Sequence, residues 1–182
     1  MSSAILTASG KWFDVLHPDP ALIDLRDIAA ALSKLCRFGG HCAQFYSVAE
    51  HSVLTARLTQ LKHPKNRILS AWALLHDASE AYLVDIPRPI KRQLQEYVRL
   101  EDAIQCVIAE RFALPWPMPK EVHVADGDML SMELRAYMPA QPENMLPPLP
   151  EKRPHNFLPD KTLSADRAEE TFFTEARNHG LG

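Results

Sequence analysis

Apolar residues recur at helical spacing along most of this 182-residue chain. Between Leu22 and Leu35, the positions Ile28, Ala31, Leu32 and Leu35 return every three or four residues, which predicts an amphipathic helix opened by Pro18-Asp19-Pro20 and closed near Gly39-Gly40. A second helix is predicted over 43–61 on the stripe Val48, His51, Leu54, Leu58 and Leu61, and a third over 64–83. Pro87 and Pro89 interrupt the pattern. It resumes as a long helix over 90–113 with Leu94, Val98, Ile104, Val107 and Ile108 on its buried side, ended by Pro115, Pro117 and Pro119. Helical periodicity continues over 120–138 through Val124, Leu130 and Leu134, and a last helix over 165–178 is capped by Ser164 and stopped at Gly180. The 139–161 segment holds seven of the chain's fifteen prolines and is expected to be irregular. No alternating run of β-branched residues predicts a sheet. The expected fold is all-α, a bundle of about six or more helices in one domain over 1–182, with its core over about 21–138.

Composition narrows the function classes. Twenty basic and 23 acidic residues give a formal charge of -3, so no basic field argues for a nucleic-acid duplex or an anionic membrane as partner. No apolar stretch approaches the ~20 residues that cross a bilayer, and no charged-then-apolar leader is evident, so the expected location is the cytoplasm. Three cysteines, Cys36, Cys42 and Cys106, form no Cys-x-x-Cys pair and read as reduced thiols.

One pentapeptide departs from ordinary helix patterning. His76-Asp77-Ala78-Ser79-Glu80 follows the apolar run Ile68 to Leu75, so a continuous helix would bring three ionisable groups to a position where leucines normally sit. Charges withdrawn from water are paired, neutralised or metal-bound, and adjacent His76 and Asp77 offer one nitrogen and one oxygen ligand to a divalent ion. His51 lies on an otherwise apolar stripe between Val48 and Leu54 and can supply another imidazole. A core histidine with no ligand role has the same appearance. Asp126, at the start of the helix carrying Leu130 and Glu133, is either a fourth ligand or a helix N-terminal carboxylate, and Asp128 competes for the ligand role.

Taken in order, Glu50-His51-Ser52, His76-Asp77-Ala78-Ser79-Glu80, Asp85-Ile86-Pro87-Arg88-Pro89-Ile90-Lys91 and Ala125-Asp126 resemble the HD-domain phosphohydrolases, in particular the bacterial 5'-deoxynucleotidase branch. The likeness covers about 10–138. The stretch from Pro18-Asp19-Pro20 through Arg37-Phe38 and Gly40-His41 to Phe45-Tyr46-Ser47 is also similar to a subgroup that includes phage deoxyadenosine triphosphate hydrolases. This resemblance implies an HD-type helical bundle in which His51, His76, Asp77 and Asp126 hold one divalent ion (Mn, Co, Zn, Fe, Ni or Mg). Glu80 and Asp85 are then the carboxylates that handle the water and the leaving oxygen. The implied substrate is a small nucleotide, chiefly a 5'-deoxynucleoside monophosphate, with triphosphate hydrolysis and a non-catalytic binding module as alternatives. A homodimer through helical surfaces is a further implication.

Substrate contacts are assigned by chemistry. Arg37, spaced from His51 much as a phosphate-binding arginine of that family is, can hold two phosphoryl oxygens at once. Lys91 offers a point charge after the proline turn, and His41 a second phosphate contact. Trp12, Phe13 and the segment to His17 are candidates for contact with the base and sugar, by stacking of an aromatic on a base, with a core role as the other reading of either aromatic. For a triphosphate, Lys11, Lys34 and Arg88 are the additional cations available.

Overall fold

A computed structural model describes residues 3–151, 153–154 and 156–181. The chain folds as a helical bundle: α1 (Leu25–Leu32), α2 (Val48–Lys62), α3 (Arg67–Leu75), α4 (Glu80–Leu83), α5 (Arg88–Lys91), α6 (Gln95–Arg111), α7 (Lys120–Tyr137) and α8 (Ala165–Asn178). Before α1, the strands β1 (Ala4–Leu6) and β2 (Trp12–Asp14) form an antiparallel hairpin with Ile5 opposite Phe13. The sequence pattern predicts no sheet here. Three-residue strands carry too few alternating positions to register as one; Phe13, buried against Tyr82 with ring centroids 4.2 Å apart, and Ser9, whose N–H and hydroxyl donate to the Asp27 carboxylate at 2.6 and 2.8 Å, anchor the hairpin to the bundle.

α2 is the central element. Eleven of its 15 residues are buried, so it meets neighbours on every side, with α3, α7 and α8 packed around it. Its two buried threonine hydroxyls bond back to the helix, Thr55 Oγ1 to His51 O at 2.9 Å and Thr59 Oγ1 to Thr55 O at 2.8 Å, which offsets the cost of burying them. One apolar cluster joins Ile28 and Leu32 of α1, Val53 of α2, Trp72 and Leu75 of α3, Ile104 and Ile108 of α6 and Phe172 of α8. A second joins Tyr46, Leu54 and Leu58 to Met129, Met132 and Tyr137. The expected bundle of six or more helices is therefore present.

Element boundaries differ from the predicted ones where polar caps outrank apolar spacing. The helix predicted over 43–61 begins only at Val48, because the Ser47 hydroxyl accepts from the Glu50 N–H at 3.1 Å and the preceding residues form an irregular corner. The helix predicted over 22–35 is confined to Leu25–Leu32, after Asp24 caps Arg26 N. The run predicted over 64–83 is two helices separated by a turn at 76–79, and that predicted over 90–113 is split between α5 and α6. Leu94 and Leu61, placed on buried stripes by periodicity, are exposed at helix ends, as is Val124 within α7. α8 has the predicted limits, and Ser164 caps it. The described residues of the proline-rich segment are irregular apart from one short turn at Glu143–Met145, and they meet α7 where Ser131 Oγ donates to the carbonyls of Pro147 and Pro148, and Tyr137 OH to that of Pro159.

A charged contact ties α8 to α2. Arg57 donates from Nε and Nη2 to Glu175 Oε2 at 3.3 and 3.1 Å, and His179 Nε2 stands 3.6 Å from Oε1. Burial works against the charge on Glu175, but His179 and Arg57 overcome it and hold the carboxyl below its usual value. Because the folded pKa is the lower one, the contact stabilises fully above the unfolded carboxylate range and is lost as pH falls through the folded value. Glu175→Gln is expected to make acid unfolding shallower, measured as the slope of stability against pH below about 4.3; an unchanged slope would exclude the contact as a contributor.

Candidate metal centre

Three segments bring the predicted ligands together. His51 projects from the first turn of α2 into the centre of the bundle and is fully buried. His76 and Asp77 follow directly on the C-terminus of α3, and Asp126 lies in α7. His51 Nε2 and His76 Nε2 are 3.1 Å apart. Asp77 Oδ2 lies 3.6 Å from the first and 3.2 Å from the second. The three residues offer atoms within 4.8 Å of one another. Asp126 Oδ1 completes the set at 3.3 Å from His51 Nε2 and 3.7 Å from His76 Nε2. Asp128 does not compete, because its carboxylate pairs with Lys62 beside a different groove.

These residues fit a divalent cation on two grounds. Ligands about 2.1 Å from one ion stand roughly 3.0 Å apart at octahedral and 3.4 Å apart at tetrahedral angles, which brackets most of the separations observed. The second ground is proton inventory. His76 Nδ1 meets the Ala73 carbonyl at 2.8 Å, and His51 Nδ1 meets Glu133 Oε1 at 2.6 Å. Both partners are acceptors, so each Nδ1 carries a hydrogen and each ring turns its Nε2 toward the other. Two imidazole nitrogens and an Asp77 oxygen gathered within 4.8 Å, with Asp126 Oδ1 beside both nitrogens, suit a positive charge between them. Burial alone would depress His76, yet Asp77 and Asp126 raise its pKa well above the ordinary histidine value, which expresses the same demand as a proton. Burial likewise opposes the charge on Asp77 and Asp126, and the two imidazoles hold both carboxyls far below the usual range.

Glu133, which the sequence offered only as a spacing mark for Asp126 and to which it gave no role, organises the back of this centre. Wholly buried in α7, it accepts from His51 Nδ1 and from Tyr46 OH, both at 2.6 Å on Oε1, and from Arg37 Nη2 at 3.1 Å on Oε2. Burial opposes its charge, but Arg37 and His51 bring its pKa down to about 2. The available signal was its position, two turns beyond Asp126 on the face that buries Met129 and Met132.

A cavity of about 310 Å³ opens beside the ligand cluster and includes Asp77 and Asp126 in its wall. Arg37, Glu80, Asp85, Arg88 and Lys91 also line it, with apolar surface from Phe38, Leu130 and Leu134. Arg37 leaves Nη1 only loosely held, 3.6 Å from Asp77 Oδ2, and Nε without a partner. Phe38 adopts a left-handed backbone (φ 57°), which turns the chain sharply just after Arg37. Glu80 is buried; Oε1 receives Lys91 Nζ at 3.3 Å and Oε2 has no partner. Burial, with the charges of Asp77 and Asp85, raises its pKa well above the glutamate value against the pull of Lys91 and Arg37. Asp85 is raised as well, by burial first. Lys91 is also held by Glu101 Oε1 at 2.6 Å, and Arg88 pairs with Asp126 Oδ2.

Glu80 does not sit one turn beyond His76 on a continuous helix as the spacing predicts, since the 76–79 turn intervenes, yet it reaches the same cavity. Two predicted substrate residues lie elsewhere. Trp12 is 64% exposed on the hairpin, and His41 is exposed at the end of the short Arg37–Gly40 turn; neither lines the cavity. Of the extra cations considered, Lys11 pairs with Asp24 and Lys34 with Glu169, which leaves Arg88 alone in the wall. Among the described residues no helix is long and apolar enough to cross a membrane, and the three cysteines are free thiols.

No protein-family model matches the chain. It is 44% identical over 135 residues to Uncharacterized protein YfdR of Escherichia coli (strain K12), covering 73% of this chain and 71% of that protein. It is 36% identical over 136 residues to Uncharacterized protein RCAP_rcc00048 of Rhodobacter capsulatus, covering 70% and 68%.

Proposed function

We propose that this chain, which belongs to the family of YfdR and RCAP_rcc00048, is an HD-type metal-dependent phosphohydrolase that cleaves 5'-deoxynucleoside monophosphates to nucleoside and phosphate. The observation that carries the reading is the convergence of His51, His76, Asp77 and Asp126 in and beneath the wall of a cavity that also holds the buried Glu80 and half-buried Asp85 carboxyls and three cationic side chains. A divalent ion held by these four residues would supply water acidified toward neutral pH and positive charge for a phosphoryl oxygen.

The remaining chemistry belongs to the chain. Arg37, anchored by Glu133 through Nη2, presents Nη1 as a charged donor for a non-bridging phosphoryl oxygen. Lys91, beside Glu80, and Arg88, beside Asp126, add charge to the cavity wall. Glu80 holds a proton at its free Oε2, where it can be delivered to the departing ribose oxygen, while Asp85 orients the attacking water. Leu130, Leu134 and Phe38 give the sugar and base an apolar wall. With Lys11 and Lys34 tied up elsewhere, the cationic equipment suits one phosphate better than three.

The test is phosphate release from the eight common deoxynucleoside mono- and triphosphates, before and after exhaustive chelation. Orthophosphate from monophosphates, abolished by metal removal and restored by manganese or cobalt, is the expected result. Tripolyphosphate as the product would make the protein a triphosphohydrolase, no product from any substrate would make it a binding module, and turnover indifferent to metal would defeat the reading.

A further inference from the structure

α3 ends at Leu75 although the chain goes on turning, and the cause lies on another helix. In an unbroken helix the Ser79 N–H would donate to the Leu75 carbonyl. Here the side-chain amide of Gln105, in α6, stands between them. Gln105 Nε2 donates to Leu75 O at 2.7 Å, and Oε1 accepts from Ser79 N at 3.1 Å. The amide thus replaces one rung of backbone ladder. Around it the bonds tighten to three-residue spacing, Ala78 N to Leu75 O at 3.0 Å, Glu80 N to Asp77 O at 3.0 Å and Tyr82 N to Ser79 O at 3.0 Å. The residues so held begin with His76 and Asp77 and lead straight into Glu80.

We propose that Gln105 is a positioning residue for the metal centre: its amide holds the 76–79 turn in the shape that delivers His76 and Asp77 to the same point as His51 and Asp126. The inference rests on the metal reading of that cluster. Only a carboxamide serves here, since the position needs a donor and an acceptor on one planar group, spaced to span a carbonyl and an N–H. Gln105 is 4% exposed and both polar atoms of its amide bond to the backbone of the turn, so its role is to hold that turn. Without it the chain can re-form the Leu75–Ser79 rung, which would shift the turn and carry Asp77 away from the imidazoles. Gln105 was missed in the sequence because it falls inside a long helical pattern, where its only mark is an amide on the stripe of Ile104 and Ile108.

The test is cobalt binding to the full chain, read by affinity and by the visible absorption bands that report ligand geometry. Gln105→Met keeps the volume and removes both bonds. It is expected to bind cobalt about 10- to 100-fold more weakly, the range for residues that orient ligands, with altered bands. Phe172→Leu, a core change in α8, serves as a destabilised control expected to keep wild-type bands. Wild-type affinity and bands in Gln105→Met would overturn the inference alone, whereas a wild-type chain that binds no cobalt would remove the metal centre with it. Should Gln105→Met fail to fold, hydrogen exchange in the wild-type chain decides: protection of both the Ser79 N–H and the Gln105 side-chain amide supports the clamp, and free exchange at both refutes it.

Discussion

Asp77→Ala is expected to lose both the bound ion and turnover. Asp77 supplies one of four converging ligand atoms and stands 3.2 Å from His76 Nε2, so its removal deprives the centre of an anionic ligand and leaves two imidazoles facing each other with less to hold a cation. The ion is asked for several kcal/mol of transition-state stabilisation, and each 1.36 kcal/mol is tenfold in rate, so phosphate release should fall by about 10³-fold or more. Glu80→Ala provides the contrast. Glu80 lines the cavity without joining the ligand cluster, so this variant should keep stoichiometric cobalt while losing roughly 10²- to 10⁴-fold in kcat. Metal content by elemental analysis alongside kcat separates the two. An Asp77→Ala protein that still turns over near the wild-type rate would end the metal proposal, and a Glu80→Ala protein that did so would end the proton-holding role.

Glu133→Ala should produce the largest loss of stability. It removes the side chain that Tyr46 OH and His51 Nδ1 share as acceptor, and it takes from the buried Arg37 guanidinium its nearer carboxylate partner. Asp77, at 3.6 Å, remains as a weaker counter-charge. Breaking one side of a buried ion pair costs about 3–5 kcal/mol, which for a chain of this length lowers Tm by roughly 6–20 °C. Cobalt affinity should fall with it, by about 10- to 100-fold, because the His51 ring loses the bond that fixes its orientation. Glu133→Gln retains an acceptor and should lose less of each. Thermal melts and metal titrations measure both, and a Tm within about 2 °C of wild type in Glu133→Ala would show that the buried network carries little of the fold.

The signals that were legible in the sequence are those that lie close together along the chain. Helical periodicity gave the bundle, because a three- to four-residue repeat of apolar positions is a local property of each helix. The caps at Ser164 and Gly180 located α8 for the same reason. Periodicity misled at helix ends, where Leu61 and Leu94 continue an apolar stripe past the last neighbour that could cover them. Adjacent His76 and Asp77 were conspicuous as a pair of ligand types in an apolar run, and a lone histidine on the α2 stripe was recognisable as out of place.

Tertiary structure decided everything that depends on groups far apart in the chain. Whether Asp126 or Asp128 joins the cluster is a matter of which α7 residue faces His51, and α7 contacts α2 across more than sixty positions of sequence. Trp12 and His41 carried suitable chemistry but point to other surfaces. Glu133 and Gln105 read as ordinary helix residues until the fold set one behind His51 and the other between Leu75 and Ser79. Residue types and their spacing thus determined a helical chain with a set of candidate ligands. Which of these share one small volume, and which buried polar groups hold them there, was fixed only when packing brought α2, α3, α6 and α7 together, since hydrogen bonds and charge pairing act over a few ångströms of space whatever the distance along the chain.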